Sequence, residues 1–187
     1  MPLTQLAPRI WRLPPAEEPL SADVFLIEGD TRWFVFDVGS SDEAFAVLSR
    51  LDKPVTVILS HFHRDHTANM HRFSPALTLA GARTLKHIPH GTLVDAPLTL
   101  RDGIEITVRP CVSPHAPGCL IATVDGAYTF IGDLTYARDA RPQAEAKGML
   151  NALRPVDTAY FVPSHLPGDP LVTKDALLRD IRGYFHI

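Results

Sequence analysis

The chain has 187 residues, 45% of them hydrophobic and 21% charged, which is enough apolar material for a sizeable core. Its net charge of -3 argues against a basic surface for nucleic acid, and no apolar run is long enough to span a bilayer. The N-terminal sequence lacks the basic and apolar regions of a secretory signal. We therefore expect one domain over residues 1–187, a cytoplasmic location and a small-molecule partner. The oligomeric state is left open.

The first third of the chain predicts strands around one helix. Ser40 and Glu43 form a capping-box pattern, and the apolar residues after them recur at helical spacing on one face. A strand, a helix and a second strand in this order predict a right-handed crossover in a mixed sheet. The predicted strands are Ile10–Leu13, Val24–Glu28 and Trp33–Phe36, and the apolar face of the helix is Ala44, Val47, Leu48 and Leu51.

Residues 55–66, VTVILSHFHRDH, dominate the sequence. The apolar, β-branched start of this stretch predicts a buried strand. Alternation along an extended chain would place His61 and His63 on the same side, so that both imidazoles face one ion. Asp65 and His66 leave that line and would reach a second ion close by. Four potential ligands within six residues predict a metal site.

The second half of the chain predicts further strands and two helices. A short helix is expected over Thr67–Arg72, and turns separate the strands that follow. Thr173 is placed to cap the last helix. The remaining predicted strands are Leu77–Ala80, Ile104–Val108, Ile121–Val124, Tyr128–Ile131 and Thr158–Val162. The predicted inward faces are Ala146, Met149, Leu150 and Leu153 in a helix over 143–153, and Leu177, Leu178, Ile181 and Phe185 in the last helix.

Polar side chains follow several of these strands in an informative order. Asp37 follows an early strand, and either caps a turn or accepts a hydrogen bond from a metal-binding histidine. His115 lies in Ser113-Pro114-His115-Ala116-Pro117-Gly118. Asp133 ends Ile131-Gly132-Asp133, and His165 ends Pro163-Ser164-His165. Singly each is an ordinary loop residue, but together they favour a metal centre built at strand ends.

These stretches, together with His61 to His66, resemble the signature of the metallo-β-lactamase superfamily over nearly the whole chain. The resemblance implies an α/β fold, a four-layer αββα sandwich with its metals at one edge between the two sheets. It also implies a ligand set: His61, His63 and His115 for one metal, and Asp65, His66 and His165 for the other, with Asp133 bridging them. Two zinc ions suit these ligands, and iron or manganese would also be accepted.

The complete seven-residue set resembles glyoxalase II and related hydrolases, whereas the classical lactam-hydrolysing enzymes of the superfamily lack the bridging aspartate. The resemblance thus predicts a hydrolase that uses a metal-bridging hydroxide to cleave a small ester, thioester or lactone. Asp65 would orient the attacking water or carry its proton. Tyr136, three residues after Asp133, resembles a lactonase tyrosine that contacts the substrate carbonyl. Its alternative is a packed aromatic residue.

Some features separate this chain from glyoxalase II. It has room for only one helix after His165, where glyoxalase II has a helical region that grips glutathione, so glutathione thioesters are disfavoured. Pro114, Ala116 and Ser164 also replace residues that are common in the family. These three departures concern loop shape more than the identity of the ligands.

Three other functions remain as alternatives. A mononuclear iron persulfide dioxygenase would use residues matching His61, His115 and Asp133. A metal-dependent nuclease is disfavoured by the acidic balance of the chain. A non-catalytic metal-binding module is disfavoured because structural zinc sites are usually closed.

The remaining histidines and cysteines receive plainer interpretations. His87 and His90 are predicted to be surface residues of a loop, because no ligand of the family falls there. Cys111 and Cys119 flank His115. They are best interpreted as buried small hydrophobic residues, ahead of a disulfide or thiols near a metal.

Overall fold

The computed structural model describes residues 3–137 and 143–187. Within them the helices are α1 Asp42–Leu48, α2 Arg64–Thr67, α3 Gln143–Leu153 and α4 Lys174–Phe185. The strands of the same residues are β1 Thr4–Ala7, β2 Ile10–Leu13, β3 Ala16–Glu17, β4 Leu20–Ser21, β5 Val24–Glu28, β6 Trp33–Phe36, β7 Val55–Ile58, β8 Leu77–Ala80, β9 Thr92–Leu93, β10 Leu98–Arg101, β11 Glu105–Cys111, β12 Cys119–Val124, β13 Tyr128–Gly132, β14 Tyr160–Pro163 and β15 Val172–Thr173. No helix in these residues is long and apolar enough to cross a bilayer.

Two large mixed sheets organise the chain. The first has the order β1-β2-β5-β6-β7-β8-β9 and the second the order β10-β11-β12-β13-β14-β15. Strands β6 and β7, which α1 connects in the sequence, pair in parallel, as the strand-helix-strand pattern predicts. Strands β13 and β14 are the parallel pair of the second sheet. Because parallel strands end at the same edge, residues that follow β6 and β7, or β13 and β14, are brought together.

The layers follow from which faces of the strands are apolar. One cluster joins the inner faces of both sheets, with Phe25, Phe36 and Phe130 at its centre. A second packs α1 on the outer face of the first sheet, and a third packs α3 and α4 on the outer face of the second. Central strands are therefore buried on both faces, which explains why all four residues of Val55–Ile58 are buried and three of them are apolar. The result is the predicted four-layer αββα sandwich.

The predicted helices agree with the structure in their faces and differ at some ends. In α3 and α4 the predicted inward residues are the buried ones, and the Thr173 hydroxyl caps α4 by accepting the Ala176 N–H at 3.4 Å. The cap of α1 is Ser41, whose hydroxyl accepts the Ala44 N–H at 3.1 Å. The prediction of Ser40 was wrong because the Ser40 hydroxyl donates to the Leu20 carbonyl instead. Helix α1 ends at Leu48, so Leu51 lies beyond it.

Other boundaries also shift. The helix expected over Thr67–Arg72 begins at Arg64, directly after the histidine motif, and continues as a 3₁₀ turn over Ala68–His71. The strand expected from Thr158 begins at Tyr160. Strand β1 was missed, because its polar Thr4 and Gln5 lie on an exposed edge.

Candidate metal centre

The sequence-predicted ligands meet where the parallel strand pairs end. Asp37 follows β6, His61 to His66 follow β7, Asp133 follows β13 and His165 follows β14. His115 comes from the loop between β11 and β12. Residues as far apart in the sequence as Asp37 and His165 are thereby gathered at one edge of the sandwich.

Three imidazoles form the first ligand group: His61, His63 and His115. His61 Nε2 lies 2.9 Å from His63 Nδ1, and His115 Nε2 lies 3.2 Å from His61 Nε2 and 2.9 Å from His63 Nδ1. Strand β7 ends at Ile58, before either motif histidine. The loop after the strand therefore aims His61 and His63 at one point, and the strand alternation expected from the sequence does not.

Two carboxylates and two imidazoles form the second ligand group: Asp65, His66, Asp133 and His165. His66 Nε2 lies 3.5 Å from Asp65 Oδ2 and 3.3 Å from Asp133 Oδ2. His165 Nε2 lies 3.1 Å from Asp65 Oδ2 and 3.7 Å from Asp133 Oδ2. The Asp133 Oδ2 atom is also 3.6 Å from His115 Nε2 of the first group. One carboxylate oxygen thus lies within reach of both groups.

The donor atoms fit divalent metal ions. Ligand atoms about 2.0–2.2 Å from a tetrahedral zinc are separated from each other by about 3.3 Å, close to the distances in both groups. His66 Nε2 and Asp133 Oδ1 are buried without a hydrogen-bond partner in the described residues. Because a buried polar atom without a partner is unfavourable, these two atoms indicate a missing positive partner. Imidazole and carboxylate donors accept zinc, iron and manganese alike.

Asp37 orients one histidine of each group: His66 directly and His61 through Ser60. Its Oδ2 atom lies 2.7 Å from His66 Nδ1 and accepts the Ser60 hydroxyl at 2.7 Å, while Oδ1 accepts the Ser60 N–H at 2.7 Å. Ser60 Oγ in turn lies 2.9 Å from His61 Nδ1. This network assigns the protons of His61 and His66 to Nδ1, which leaves both Nε2 lone pairs directed at the ligand groups. The acceptor role expected of Asp37 is therefore present.

Burial and charge give the two groups different electrostatics. Burial, reinforced by the neighbouring imidazoles, holds the pKa of His61 far below its ordinary value. Burial opposes protonation of His66 too, but the Asp37 and Asp133 carboxylates outweigh it and raise that pKa to about 10. The pKa of Asp133 is lowered, because the neighbouring His66 imidazole outweighs the effect of burial. Burial thus keeps His61 of the first group neutral, whereas the carboxylates of the second group favour a second proton on His66, which a bound cation would displace.

Unusual backbone shapes hold the site. Asp37 and His165 adopt left-handed φ angles of 59° and 61°, which non-glycine residues rarely do. Such conformations cost about 1–3 kcal/mol and persist only where surrounding contacts impose them. Gly132, at φ 53°, packs so closely that an added Cβ would lie 2.7 Å from the Ser60 side chain. Only glycine satisfies both its conformation and this contact.

A buried ion pair missed by the sequence analysis supports the His165 loop. Arg12 Nε donates to Asp23 Oδ1, and Asp23 Oδ2 accepts the His165 N–H at 2.7 Å. Arg12 also donates to the carbonyls of Leu166, at 2.6 Å, and Gly168. The sequence does hold one signal for this pair, since Arg12 interrupts an otherwise apolar strand. In the structure Arg12 is only 4% exposed.

The other residues singled out from the sequence lie around this centre. Tyr136 is 39% exposed, and its hydroxyl donates to the Ser164 carbonyl at 3.3 Å. Cys111 and Cys119 are free and buried, as predicted, and face each other across β11 and β12. His87 and His90 are exposed, as predicted, and His87 stacks on Phe62 with ring centroids 4.9 Å apart.

Comparison with known proteins identifies the fold. The sequence profile of the metallo-beta-lactamase superfamily matches residues 18–103, a little under half of the chain. Among curated proteins, none matches by sequence. The structure is similar to a B3 metallo-beta-lactamase with an active-site glutamic acid, at 13% identity and TM-score 0.77, covering 100% of this chain and 88% of that one. The chain therefore has the metallo-β-lactamase fold.

Two other structures of this fold are longer proteins. A sec-alkylsulfatase from Pseudomonas sp. shares 18% identity with TM-score 0.73, and the match covers 98% of this chain and 41% of the sulfatase chain. The flavodiiron protein from Giardia intestinalis shares 14% identity with TM-score 0.73, and covers 99% of this chain and 59% of its own. This chain spans about half the length of these two relatives. Identities this low establish a common fold alone, and the names span several kinds of chemistry.

Proposed function

We propose that this protein is a dinuclear-metal hydrolase, loaded with two zinc ions, that cleaves a small ester, thioester or lactone. The single observation that carries the proposal is the position of Asp133 Oδ2, which lies 3.3 Å from His66 Nε2 and 3.6 Å from His115 Nε2. A carboxylate placed between two complete ligand groups suits a pair of ions better than one. The completeness of the seven-residue set, which resembles glyoxalase II, supports acyl transfer to water.

The proposed residues divide into ligands and residues that act on the substrate. His61, His63 and His115 would hold one ion, Asp65, His66 and His165 the other, and Asp133 both. When bound, such a pair supplies an activated water near neutral pH and a Lewis acid for the acyl carbonyl. The carboxylate of Asp65 remains ionised, because its hydrogen bond with His165 outweighs the effect of burial and lowers its pKa. Besides serving as a ligand, the Asp65 carboxylate could therefore orient the attacking water and accept its proton.

Tyr136 is proposed as a hydrogen-bond donor to the substrate carbonyl. Burial and the nearby Asp133 and Asp23 carboxylates raise its pKa, so the hydroxyl stays protonated at working pH. The residue is 39% exposed, and its hydroxyl would exchange its long 3.3 Å hydrogen bond to the Ser164 carbonyl for one to the substrate. Tyr136→Phe should lower kcat/KM about 10-fold, the effect of one lost hydrogen bond to the transition state, and should leave metal content unchanged. Unchanged kcat/KM would assign Tyr136 to packing.

A cavity beside the second ligand group supports a small-molecule substrate. It has a volume of about 910 Å³ and includes His165 in its wall. This is within the range of about 300–1,000 Å³ that is typical of small-molecule sites. Much of the remaining wall is apolar: Leu6, Pro14, Pro15, Leu20, Leu166, Pro167 and Leu171.

The first experiment is metal content per chain, measured on protein purified without added metal. About two zinc ions per chain, followed by turnover in a panel of lactones, thioesters and esters, are the results that the proposal requires. One iron per chain, with oxygen consumed in the presence of a persulfide, would contradict it. That outcome would favour the mononuclear dioxygenase, whose matching residues His61, His115 and Asp133 also lie together.

A further inference from the structure

The Arg12–Asp23 ion pair is almost completely buried and lies outside both ligand groups. The side chains are 5% and 0% exposed, respectively. A buried ion pair is weak evidence for stability, because removing two charges from water costs about as much as their attraction returns. Its contacts therefore have to explain why the chain carries it.

The contacts of the pair converge on the loop that carries His165. Asp23 holds the His165 N–H, and Arg12 holds the carbonyls of Leu166 and Gly168. We call these hydrogen bonds the clasp: together they hold the main chain at His165 and at two positions just after it. Arg12 lies near the end of β2 and Asp23 directly precedes the antiparallel β5, so both lie at one edge of the first sheet, whereas the loop follows β14 of the second sheet. The pair therefore ties the two sheets together at the ligand.

His165 depends on such a restraint for its conformation. Its φ of 61° is uncommon for a residue with a side chain. A left-handed conformation of this kind persists only where surrounding contacts impose it. The same conformation places His165 Nε2 3.1 Å from Asp65 Oδ2 in the second group. In the first group, the ring nitrogens of His61 instead contact Ser60, His63 and His115.

We propose that Arg12 and Asp23 are positioning residues for the second ligand group: their clasp on the 165–168 loop sets the affinity for the second ion and leaves the first unaffected. This inference rests on the proposed dinuclear function. Arg12 also lines the 910 Å³ cavity beside His165, so the same clasp fixes one wall of the proposed substrate site. Supporting residues of this kind change metal affinity by about 10–100-fold in other metal sites.

The variants separate positioning from general stability. Asp23→Ala removes the acceptor for the His165 N–H. The double variant Arg12→Met with Asp23→Leu removes both charges together, so that no unpaired buried charge prevents folding. Asp102→Ala is the matched control, because Asp102 also accepts backbone N–H groups, those of Thr31 and Arg32, but holds a hairpin turn in place of a ligand.

The measurement is stepwise zinc affinity, read by competition with a chelator of known affinity and checked by metal content. Wild type and Asp102→Ala should hold two ions. Asp23→Ala and the double variant should hold the first ion with unchanged affinity and bind the second about 10–100-fold more weakly. The inference would be overturned if Asp23→Ala and the double variant bound the second ion as tightly as wild type does. A selective loss of the second ion in Asp102→Ala would also overturn it.

Amide hydrogen exchange of the metal-free proteins gives a readout independent of bound metal. The His165 amide should exchange at least about 10-fold faster in Asp23→Ala than in wild type, because its hydrogen-bond acceptor is gone. Unchanged protection would refute the positioning role. A wild-type protein that binds one ion would contradict the dinuclear function, while the exchange result would still decide whether the pair holds His165.

Discussion

His61 and His63 of the first ligand group are two residues apart, and one further loop supplies His115. The second group combines the adjacent Asp65 and His66 with Asp133 and His165, which follow two strands of the other sheet. The groups also differ in charge, since the first contains imidazoles alone and the second adds two carboxylates. Both nevertheless lie at one edge of the sandwich and approach each other at Asp133.

The difference lies in what holds each group together. In the first, a short loop after β7 aims two of three ligands, and Ser60 orients one of them directly. In the second, a left-handed His165 and a close-packed Gly132 lie on the segments that supply its distant members, and a buried ion pair holds the His165 loop. A mainly local group should tolerate changes elsewhere in the chain, whereas a group assembled from both sheets should respond to them.

Removing Asp133, the residue that lies within reach of both groups, should impair metal binding by both. Asp133→Ala deletes the oxygen that lies between His66 and His115. We expect loss of both ions under conditions in which wild type holds two, and a fall in turnover of at least about 100-fold, the scale of losing one group that stabilises the transition state. Metal analysis and kcat/KM on the most active substrate measure this. Full activity in the variant would refute the bridged arrangement.

Reversing the hydrogen bonds of Asp37 should weaken both groups without removing a ligand. Asp37→Asn keeps the size of the side chain, but its amide donor cannot accept from both Ser60 Oγ and His66 Nδ1. The imidazole protons then move toward the Nε2 atoms that face the ions. We expect affinity for each ion to fall about 10–100-fold, measured by zinc competition. Asp52→Asn, at an exposed carboxylate bonded to Trp33, is the control and should leave both affinities unchanged.

A change at Gly132 tests how far the second group depends on close packing. Gly132→Ala adds a Cβ that would lie 2.7 Å from the Ser60 side chain, whereas Gly126→Ala, at a similar φ of 63°, meets nothing within 4 Å. Both substitutions carry the left-handed backbone cost of about 1–2 kcal/mol. Overlap should make Gly132→Ala at least about 1 kcal/mol more destabilising, as measured by urea unfolding. Equal losses would show that Ser60 moves aside.

The smallest expected effect concerns the thiols of Cys111 and Cys119. Their reactivity tests the rigidity of the loop that carries His115. Burial raises the pKa of Cys111 and Cys119 from 9.0 to about 12. Iodoacetamide should therefore label neither thiol at pH 8 in folded protein and both in denaturant. Because unfolded thiols ionise first, the free energy of unfolding should fall as pH rises from about 9 toward 12 and stay unaffected by them below pH 9. Rapid labelling of the folded protein at pH 8 would show that the His115 loop opens.

Much of the secondary structure could be predicted from the sequence because its signals are local, whereas the four-layer sandwich was predicted from the resemblance to the superfamily. The apolar faces of α3 and α4 follow from side-chain spacing alone, and the Thr173 cap from a single hydroxyl three residues before the N–H it accepts. The short edge strand β1 could not be predicted, since Thr4 and Gln5 are polar and exposed. The cap of α1 moved by one residue because a distant carbonyl, that of Leu20, takes the Ser40 hydroxyl.

By itself, the sequence determined the central strands and the longer helices, because hydrophobic period is a property of neighbouring residues. Its resemblance to the superfamily supplied the seven candidate ligand positions. Only the tertiary structure decided that the loop after β7 aims His61 and His63, that Asp133 reaches both groups, and that Arg12 and Asp23 hold the His165 loop. These depend on contacts between residues far apart in the chain. Such contacts form only when two sheets pack on one core and bring their strand ends to the same edge.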